Sequence, residues 1–374
     1  MREILRQHGW PLTAGLLCAL LIIAIFPGWF GLGKQRINIQ MAPAPAVGSG
    51  PVSYAEAVAA ASPSVVNIYS TKVVNKPAHI PLPDPTLQQF FAEILPQQQR
   101  LESSLGSAVI ISSSGYLLTN NHVVEGAEQI VVALKDGRET SAGIVGRDPE
   151  TDLAVLKIDL PDLPAITLGH SDKIAIGDVV LAIGNPFGVG QTVTMGIVSA
   201  TGRNQLGINT YEDFIQTDAA INPGNSGGAL VDAHGNLLGI NTAIFSRSGG
   251  SQGIGFAIPA KLALHVMESI VEHGQVVRGW LGIEVQMLTA ELAESFGLQQ
   301  SAGVLVAAVF RDGPAANAGL LPGDVILQIA GVPASDGLSS MNQVARMRPG
   351  QRVKILIQRG QQQLELTMQV AQRQ

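Results

Sequence analysis

Asn222-Pro223-Gly224-Asn225-Ser226-Gly227-Gly228-Ala229-Leu230 places a serine among glycines, directly after a tight-turn signal and ahead of the apolar run Leu237-Leu238-Gly239-Ile240. A nucleophilic serine needs such a setting for two reasons. Its Oγ must stand clear of the fold, and neighbouring backbone N–H groups must converge on the oxyanion of acyl transfer. Gly224 has no Cβ to obstruct an inward-turned peptide, so the Gly224 and Ser226 amides are the candidate oxyanion hole. The competing reading is an ordinary Asn-Pro-Gly turn between two strands. Partners elsewhere in the chain decide between the two.

Two partners lie upstream. Thr119-Asn120-Asn121-His122-Val123-Val124 sets a histidine at the end of a strand, where the chain turns. Thr151-Asp152-Leu153-Ala154-Val155-Leu156-Lys157-Ile158 sets an aspartate at the head of a buried apolar strand. Taken singly, the first is a turn residue and the second a solvated cap. Taken together with the serine, they have complementary roles: His122 takes the Ser226 proton and returns it to the leaving amine, and Asp152 fixes the imidazole tautomer. The order His122, Asp152, Ser226 is that of chymotrypsin-like double β-barrels, not of subtilisins or α/β-hydrolases.

The surrounding pattern agrees. From Gly106 to Pro259 short apolar runs alternate with turn signals: Ser107–Ile111, Tyr116–Thr119, Gln129–Leu134, Leu153–Ile158, Val179–Ile183, Gly196–Ala200, Ala229–Val231 and Gly255–Ile258. That spacing predicts a mainly β sandwich or barrel. Upstream, Ser53–Ala61 has helical composition ended by Pro63, and Val65–Tyr69 reads as a first strand. A long insert with five prolines runs from Asn75 to Glu102, with Phe90, Phe91, Ile94 and Leu95 spaced for a short amphipathic helix. That apolar cluster either covers its own domain or meets a neighbouring subunit. Ala260–Glu272 predicts a helix stopped by Gly274.

The chain has 374 residues, 42 glycines, 14% charged residues and a formal net charge of -6. It is long enough for two or three domains and has no polybasic footprint of a nucleic-acid binder. The single cysteine, Cys18, excludes an intrachain disulfide and a cysteine-rich zinc site. No His-x-x-x-His or Cys-x-x-Cys pair and no Walker loop occurs, so the expectation is chemistry without metal, cofactor or ATP. Gly9 to Gly33 carries no charge, which is enough chain to cross a hydrocarbon core of roughly 30 Å as a helix. The other reading is a cleaved signal peptide, with Ala42-Pro43-Ala44 as an A-x-A-like site beyond the apolar run. Arg2 and Arg6 balance Lys34 and Arg36, so charge does not set the orientation.

The stretches Thr119–Val124, Thr151–Ile158, Gly184–Gly188, Gln216–Asn222 and Gly224–Leu230 together resemble the HtrA/Deg family of serine proteases. The likeness runs from about Val52 to the C-terminus. The N-terminal apolar segment and the single module after the protease-like region resemble its membrane-anchored DegS/AlgW-like branch. What the resemblance implies is a chymotrypsin-like double β-barrel protease domain (51–276), one PDZ domain (277–372), a transmembrane anchor (1–36) and a linker (37–50). By the same resemblance the chain is a homotrimeric serine endopeptidase in the bacterial inner membrane, facing the periplasm. There the C-termini of misfolded outer-membrane proteins bind the PDZ domain and release cleavage of an anti-sigma factor. The alternative is a general periplasmic quality-control protease, and a non-catalytic chaperone is a third reading that the intact His122, Asp152 and Ser226 oppose.

Further residues follow from the likeness. The position six before the nucleophile, at the base of the primary pocket, is Ala220, followed by Ile221. No carboxylate stands there, so the pocket is expected to prefer Val or Ala over Arg or Lys. Backbone edges at Ile240–Ala243 are candidates for pairing with an extended substrate. The loop from Thr201 to Tyr211 matches a sensor loop in which Arg203 is tied to activation; the plainer reading of Arg203 is a surface charge. In the second module, Trp280, Leu281, Gly282 and Ile283 are expected to hold a peptide carboxylate and strand. Met341 is the candidate groove residue of a helix over Ser339–Met347, where Val344 and Ala345 share its spacing and core and groove are not separable.

Overall fold

The structure is a computed structural model and describes residues 15, 17, 18, 20–22, 25, 53–77, 97–186, 190–244, 250–295 and 303–373. The chain divides into two units, Met1–Val52 and Ser53–Gln374. In the first, Gly15, Leu17, Cys18, Leu20, Leu21, Ile22 and Ile25 are helical and exposed. No helix among the described residues is long and apolar enough to cross a membrane. Most of the expected anchor, the linker and Ala42-Pro43-Ala44 lie outside the described residues, as does the amphipathic segment around Phe90–Leu95.

The second unit opens with a helix, Ala55–Ala61, and a 3-10 turn, Ser62–Ser64, where Pro63 ends the helical hydrogen bonding. The strands β1 (Val65–Pro77) and β2 (Gln97–Ile110) then pair antiparallel along their whole length. With β3 (Tyr116–Asn120), β4 (Gln129–Ala133), β5 (Glu139–Ser141), β6 (Gly143–Asp148) and β7 (Leu153–Lys157) they form a seven-stranded sheet, ordered β5-β4-β1-β2-β3-β7-β6. A single residue, Ala142, joins β5 to β6 at the two ends of that order. Consecutive Cα atoms are only ~3.8 Å apart, so the sheet must curl until its edges meet at this corner. The first expected barrel is thus closed by the chain rather than by a ladder of hydrogen bonds.

The second barrel does close by pairing. Strands β8 (Val179–Gly184), β9 (Thr192–Arg203), β10 (Phe214–Thr217), β11 (Ala229–Asp232), β12 (Leu237–Ile244) and β13 (Gly255–Pro259) run in the order β10-β13-β12-β11-β8-β9. β9 extends beyond the expected Gly196–Ala200, because Arg203 still pairs with Phe214 of β10 across register shifts. The helix Ala260–His273 closes the unit, and Gly274 caps it at a left-handed φ of 75°.

The unbroken apolar run in β7 has a packing reason. Side chains of a strand alternate between faces. Ala154 and Leu156 point into the core of the first sheet with Ile68, Ile110 and Leu117. Leu153 and Val155 face the layer between the barrels, with Leu181, Phe214 and Ile240. Both faces are dry, so alternation disappears from the sequence, and the residue before Leu153 is held at the cleft between the barrels.

A smaller β module follows. It comprises β14 (Gly279–Trp280), β15 (Ile283–Met287), β16 (Val304–Val309), β17 (Val325–Ile329), β18 (Val332–Pro333), β19 (Arg352–Arg359), β20 (Gln362–Gln369) and β21 (Ala371–Gln372). The main sheet runs β15-β16-β17-β19-β20, with β18 on β17, and β14 pairs with β21. The helix Gly337–Ala345 starts two residues before the expected Ser339, since Asp336 caps it by accepting from Ser339 N at 2.8 Å. β15 is an edge strand, with an open side between itself and that helix.

Candidate active site

β3 ends at Asn120 and the chain turns into a single helical turn, Asn121–Val124, which carries His122. Asp152 precedes β7 at φ 59°, a left-handed conformation costing a non-glycine residue about 1–2 kcal/mol. Leu153 and Leu156 just beyond it are completely buried, and each such side chain contributes roughly 1.5–3 kcal/mol, enough to offset the strain. Hydrogen bonds also hold the turn. Asn121 N and Asn120 Nδ2 both donate to Asp152 O, at 3.0 Å each.

The Asp152 carboxylate accepts three hydrogen bonds. His122 N donates to Oδ1 at 2.9 Å, His122 Nδ1 meets Oδ2 at 2.7 Å, and Thr242 Oγ1 donates to Oδ2 at 2.9 Å. The carboxylate is mostly buried, whereas the imidazole is about half exposed in the cleft. A carboxylate accepting at Nδ1 leaves Nε2 as the basic nitrogen of a neutral imidazole. Sequence pointed to Thr242 only as part of the backbone edge Ile240–Ala243; that its hydroxyl reaches Asp152 is a matter of barrel packing.

Ser226 stands on the loop between β10 and β11. Its Oγ donates to Thr242 O at 3.2 Å, and among the described residues it makes no hydrogen bond to His122. His122 and Asp152 are therefore paired, whereas the Ser226 hydroxyl is turned to Thr242 O. Asn225 N donates to Asn222 O at 3.0 Å and Gly224 sits at φ 102°, the pattern of a type II turn over Asn222–Asn225. A type I turn would turn the Pro223–Gly224 peptide over, so this φ decides which way the Gly224 N–H faces. Gly224 O accepts from Ser107 Oγ at 2.8 Å. Neither Gly224 N nor Ser226 N donates to any described residue, leaving both free for an oxyanion. Gly227 locks the loop: at φ 82° its missing Cβ would lie 2.0 Å from Ser107 O.

The comparisons agree with this geometry. Residues 106–240 match the trypsin-like peptidase domain family and residues 279–370 the PDZ domain family. A protein of Pseudomonas fulva named "Probable periplasmic serine endoprotease DegP-like" is 48% identical over 320 residues, 81% of this chain and 67% of the relative. A protein of the same name from Chlamydia trachomatis is 48% identical over 277 residues, 74% of this chain and 55% of the relative. The solved structure of a serine-to-alanine form of the HtrA-type protease AlgW with a decapeptide is 70% identical. It covers 86% of this chain and 98% of its own, with a TM-score of 0.75. The serine endoprotease from Yersinia pestis is 44% identical, with 87% of this chain and 100% of its own covered and a TM-score of 0.60.

The chain belongs to the HtrA family of serine endopeptidases. Its architecture is a mainly β protease domain followed by one PDZ domain. In the protease domain Ala220 is partly exposed, with its carbonyl accepting from Thr194 Oγ1 at 2.8 Å. Ile221 is buried in the second barrel against Gly255. The expected substrate edge at Ile240–Ala243 needs correction. Ile240 and Asn241 pair with β13, and on the other side Ile240 pairs with Ala229 while Asn241 exchanges hydrogen bonds with Gly227 and Gly228. On that second side no described strand pairs with β12 beyond Asn241, while β13 continues along Ala243 and Ile244 on the first.

Within the PDZ domain a cleft of about 210 Å³ lies between β15 and the helix Gly337–Ala345. Trp280, Leu281, Ile283 and Met341 line it, together with Val344, which also belongs to the packed core of the domain. Gly282 is not on the lining; it turns the chain at φ 75° and its carbonyl accepts from Phe310 N. The N–H groups of Leu281 and Gly282 donate to no described residue. Two residues that sequence reasoning missed also reach this cleft: Tyr211 from the protease domain and Arg373 from the end of the chain.

The loop between β9 and β10 carries part of the contact between the domains. Asn204 Nδ2 donates to Ser339 Oγ at 2.6 Å, Asn342 Nδ2 donates to Glu212 O at 2.5 Å, and Arg346 pairs with Asp213. Arg203 itself is exposed, with its Nε donating to Gln216 Oε1 at 3.0 Å. His265 sits in a small crevice lined from both domains, with Arg278, Asn342 and Arg346. Burial holds its imidazole below the ordinary value; Glu268 opposes this, and Arg346, Arg278 and Arg348 reinforce it. Between the depressed value and ~6.5 the unfolded chain binds more protons, so stability rises with pH there and is lost as pH falls below ~6.5. His265→Gln is expected to flatten the fall in melting temperature between about pH 7 and 5. An unchanged pH slope in calorimetry would remove His265 from the account.

Proposed function

We propose that this chain is a periplasmic, membrane-anchored serine endopeptidase in which Ser226 is the nucleophile, His122 its general base and Asp152 the group that orients His122. Substrate binding rotates Ser226 Oγ away from Thr242 O. His122 Nε2 takes the proton as Oγ attacks the scissile carbonyl, and the Gly224 and Ser226 amides receive the oxyanion. His122 then protonates the leaving amine, and water repeats the cycle in reverse to free the acyl group. The observation carrying this reading is the three-donor hold on Asp152, which fixes the imidazole with Nε2 toward the cleft. Ala220 and Ile221 offer no charge to a P1 side chain, which favours Val or Ala before the cut.

The same reading makes the PDZ domain (277–372) the gate of the protease domain (51–276). The unpaired edge of β15 accepts a peptide strand, and the Leu281 and Gly282 amides take its carboxylate. Support comes from the open cleft, from the β9–β10 loop seated on the PDZ helix, and from the AlgW structures described with a decapeptide and a tripeptide. Arg203, at the root of that loop, relays the signal to the active-site segment through Gln216. On this reading the ligands are C-termini of misfolded outer-membrane proteins and the substrate is an anti-sigma factor in envelope stress signalling. The enzyme is a trimer anchored in the inner membrane through residues 1–36. The relatives named as periplasmic support the compartment.

A general degradative protease is the second reading, favoured by the DegP-like relatives, of whose length the chain spans about two-thirds. Cleavage of a reporter with Val before the scissile bond separates the two. A gated enzyme is expected to rise at least tenfold in rate when a peptide with an apolar C-terminus is added. Full activity without peptide, together with rapid digestion of unfolded casein, would favour the degradative enzyme and remove the gate.

A further inference from the structure

The PDZ cleft is walled by apolar side chains, and Arg373 is its charged residue among the described lining. A second arginine stands close by, with both terminal nitrogens held by carboxylates. Arg278 gives Nη2 to Asp148 at 2.5 Å and Nη1 to Glu150 at 3.1 Å, with its side chain about nine-tenths buried. Arg373 is different. Its Nη1 is shared between Glu150 Oε1, at 3.0 Å, and the Tyr211 hydroxyl. Its Nε and Nη2 donate to no described residue, and its side chain is 40% exposed. The backbone places it beside the carboxylate turn: β21 pairs with β14, opposite Gly279 and Trp280, and Arg373 N donates to Arg278 O at 2.9 Å.

We propose that Arg373 is a second receptor for the terminal carboxylate of a peptide in the PDZ cleft, and that Glu150 competes with this carboxylate for it. This rests on the reading that the cleft takes peptide C-termini. A guanidinium fork suits a carboxylate through two parallel N–H···O bonds, and the donors left over on Arg373 provide such a fork. Glu150 lies two residues before Asp152, and its carbonyl accepts from Tyr211 N at 3.0 Å. Moving Arg373 onto a ligand therefore unloads the segment that carries Asp152 and loosens Tyr211, on which Arg278 and Arg373 both stack. The ligand's charge, and not only its apolar side chain, is felt in the protease domain.

The test is fluorescence anisotropy on the full chain with a labelled decapeptide ending in phenylalanine, as free acid and as C-terminal amide. Arg373→Gln is expected to weaken the free acid by about tenfold or more and to leave the amide unchanged. Glu150→Gln is expected to tighten the free acid several-fold, an effect that disappears when Arg373→Gln is also present. Unchanged free-acid affinity in Arg373→Gln would overturn the proposal. So would equal weakening of acid and amide, which marks a packing role. If neither peptide binds the wild-type protein, the reading of the cleft fails and the proposal falls with it.

Discussion

An Asp152→Asn variant is expected to keep its fold while its kcat falls by about 10⁴-fold. The reason lies in donor and acceptor counting. Asp152 accepts from His122 N, His122 Nδ1 and Thr242 Oγ1, and an ionised carboxylate accepts at every one of these points. Asparagine has one acceptor oxygen. If that oxygen keeps His122 N, the amide NH2 faces Nδ1 and Thr242 Oγ1. Two donors cannot face each other, so the imidazole moves its proton to Nε2 and Nδ1 becomes the acceptor. The nitrogen that must take the Ser226 proton is then occupied. Circular dichroism should match the wild type, and the reporter rate decides: a loss of less than tenfold would mean that Asp152 does not set the tautomer.

Ser226→Ala carries the largest expected loss, about 10⁶-fold in kcat, the scale seen when a serine nucleophile is removed from a triad. Folding has little stake in this hydroxyl. Its one hydrogen bond, to Thr242 O at 3.2 Å, is worth roughly 1 kcal/mol or less. The variant should therefore melt within a few degrees of the wild type and still bind peptide at the PDZ cleft. Residual activity above solution hydrolysis comes from the oxyanion amides and from substrate binding. A Ser226→Ala protein that still turned over the reporter at the wild-type rate would exclude the assignment of the nucleophile.

Most strands of both barrels were legible as short apolar runs bounded by Gly, Asn or Asp, and Leu153–Leu156 read as a buried strand; β5, β6 and β10 carry no such run, and β1 and β2 extend into the expected insert. Asp152 and His122 were legible through order, since a histidine after one strand and an aspartate before another match a known chemistry when a Gly-rich serine loop follows. What escaped was non-local. Thr242 reaches Asp152 only because β12 crosses the cleft from the other barrel. The substrate edge was placed too early, since nothing in Ile240-Asn241 shows that Gly227 and Gly228 return to bond Asn241. Glu150, in the turn between β6 and β7, and Arg373, just after β21, are far apart in sequence and meet only when the PDZ domain packs on the protease domain. Tyr211 did carry a signal, as the lone aromatic in a glycine- and asparagine-rich loop.

The central claim is that His122, held by Asp152, activates Ser226. Its most direct measurement is reaction of the full chain, with and without an apolar-tailed peptide, with a fluorophosphonate, followed by mass-spectrometric mapping of the adduct. The account predicts a single adduct on Ser226 that forms faster with peptide and is nearly abolished by His122→Ala. An adduct on another residue, or equal labelling of Ser226 in the His122→Ala protein, would contradict it.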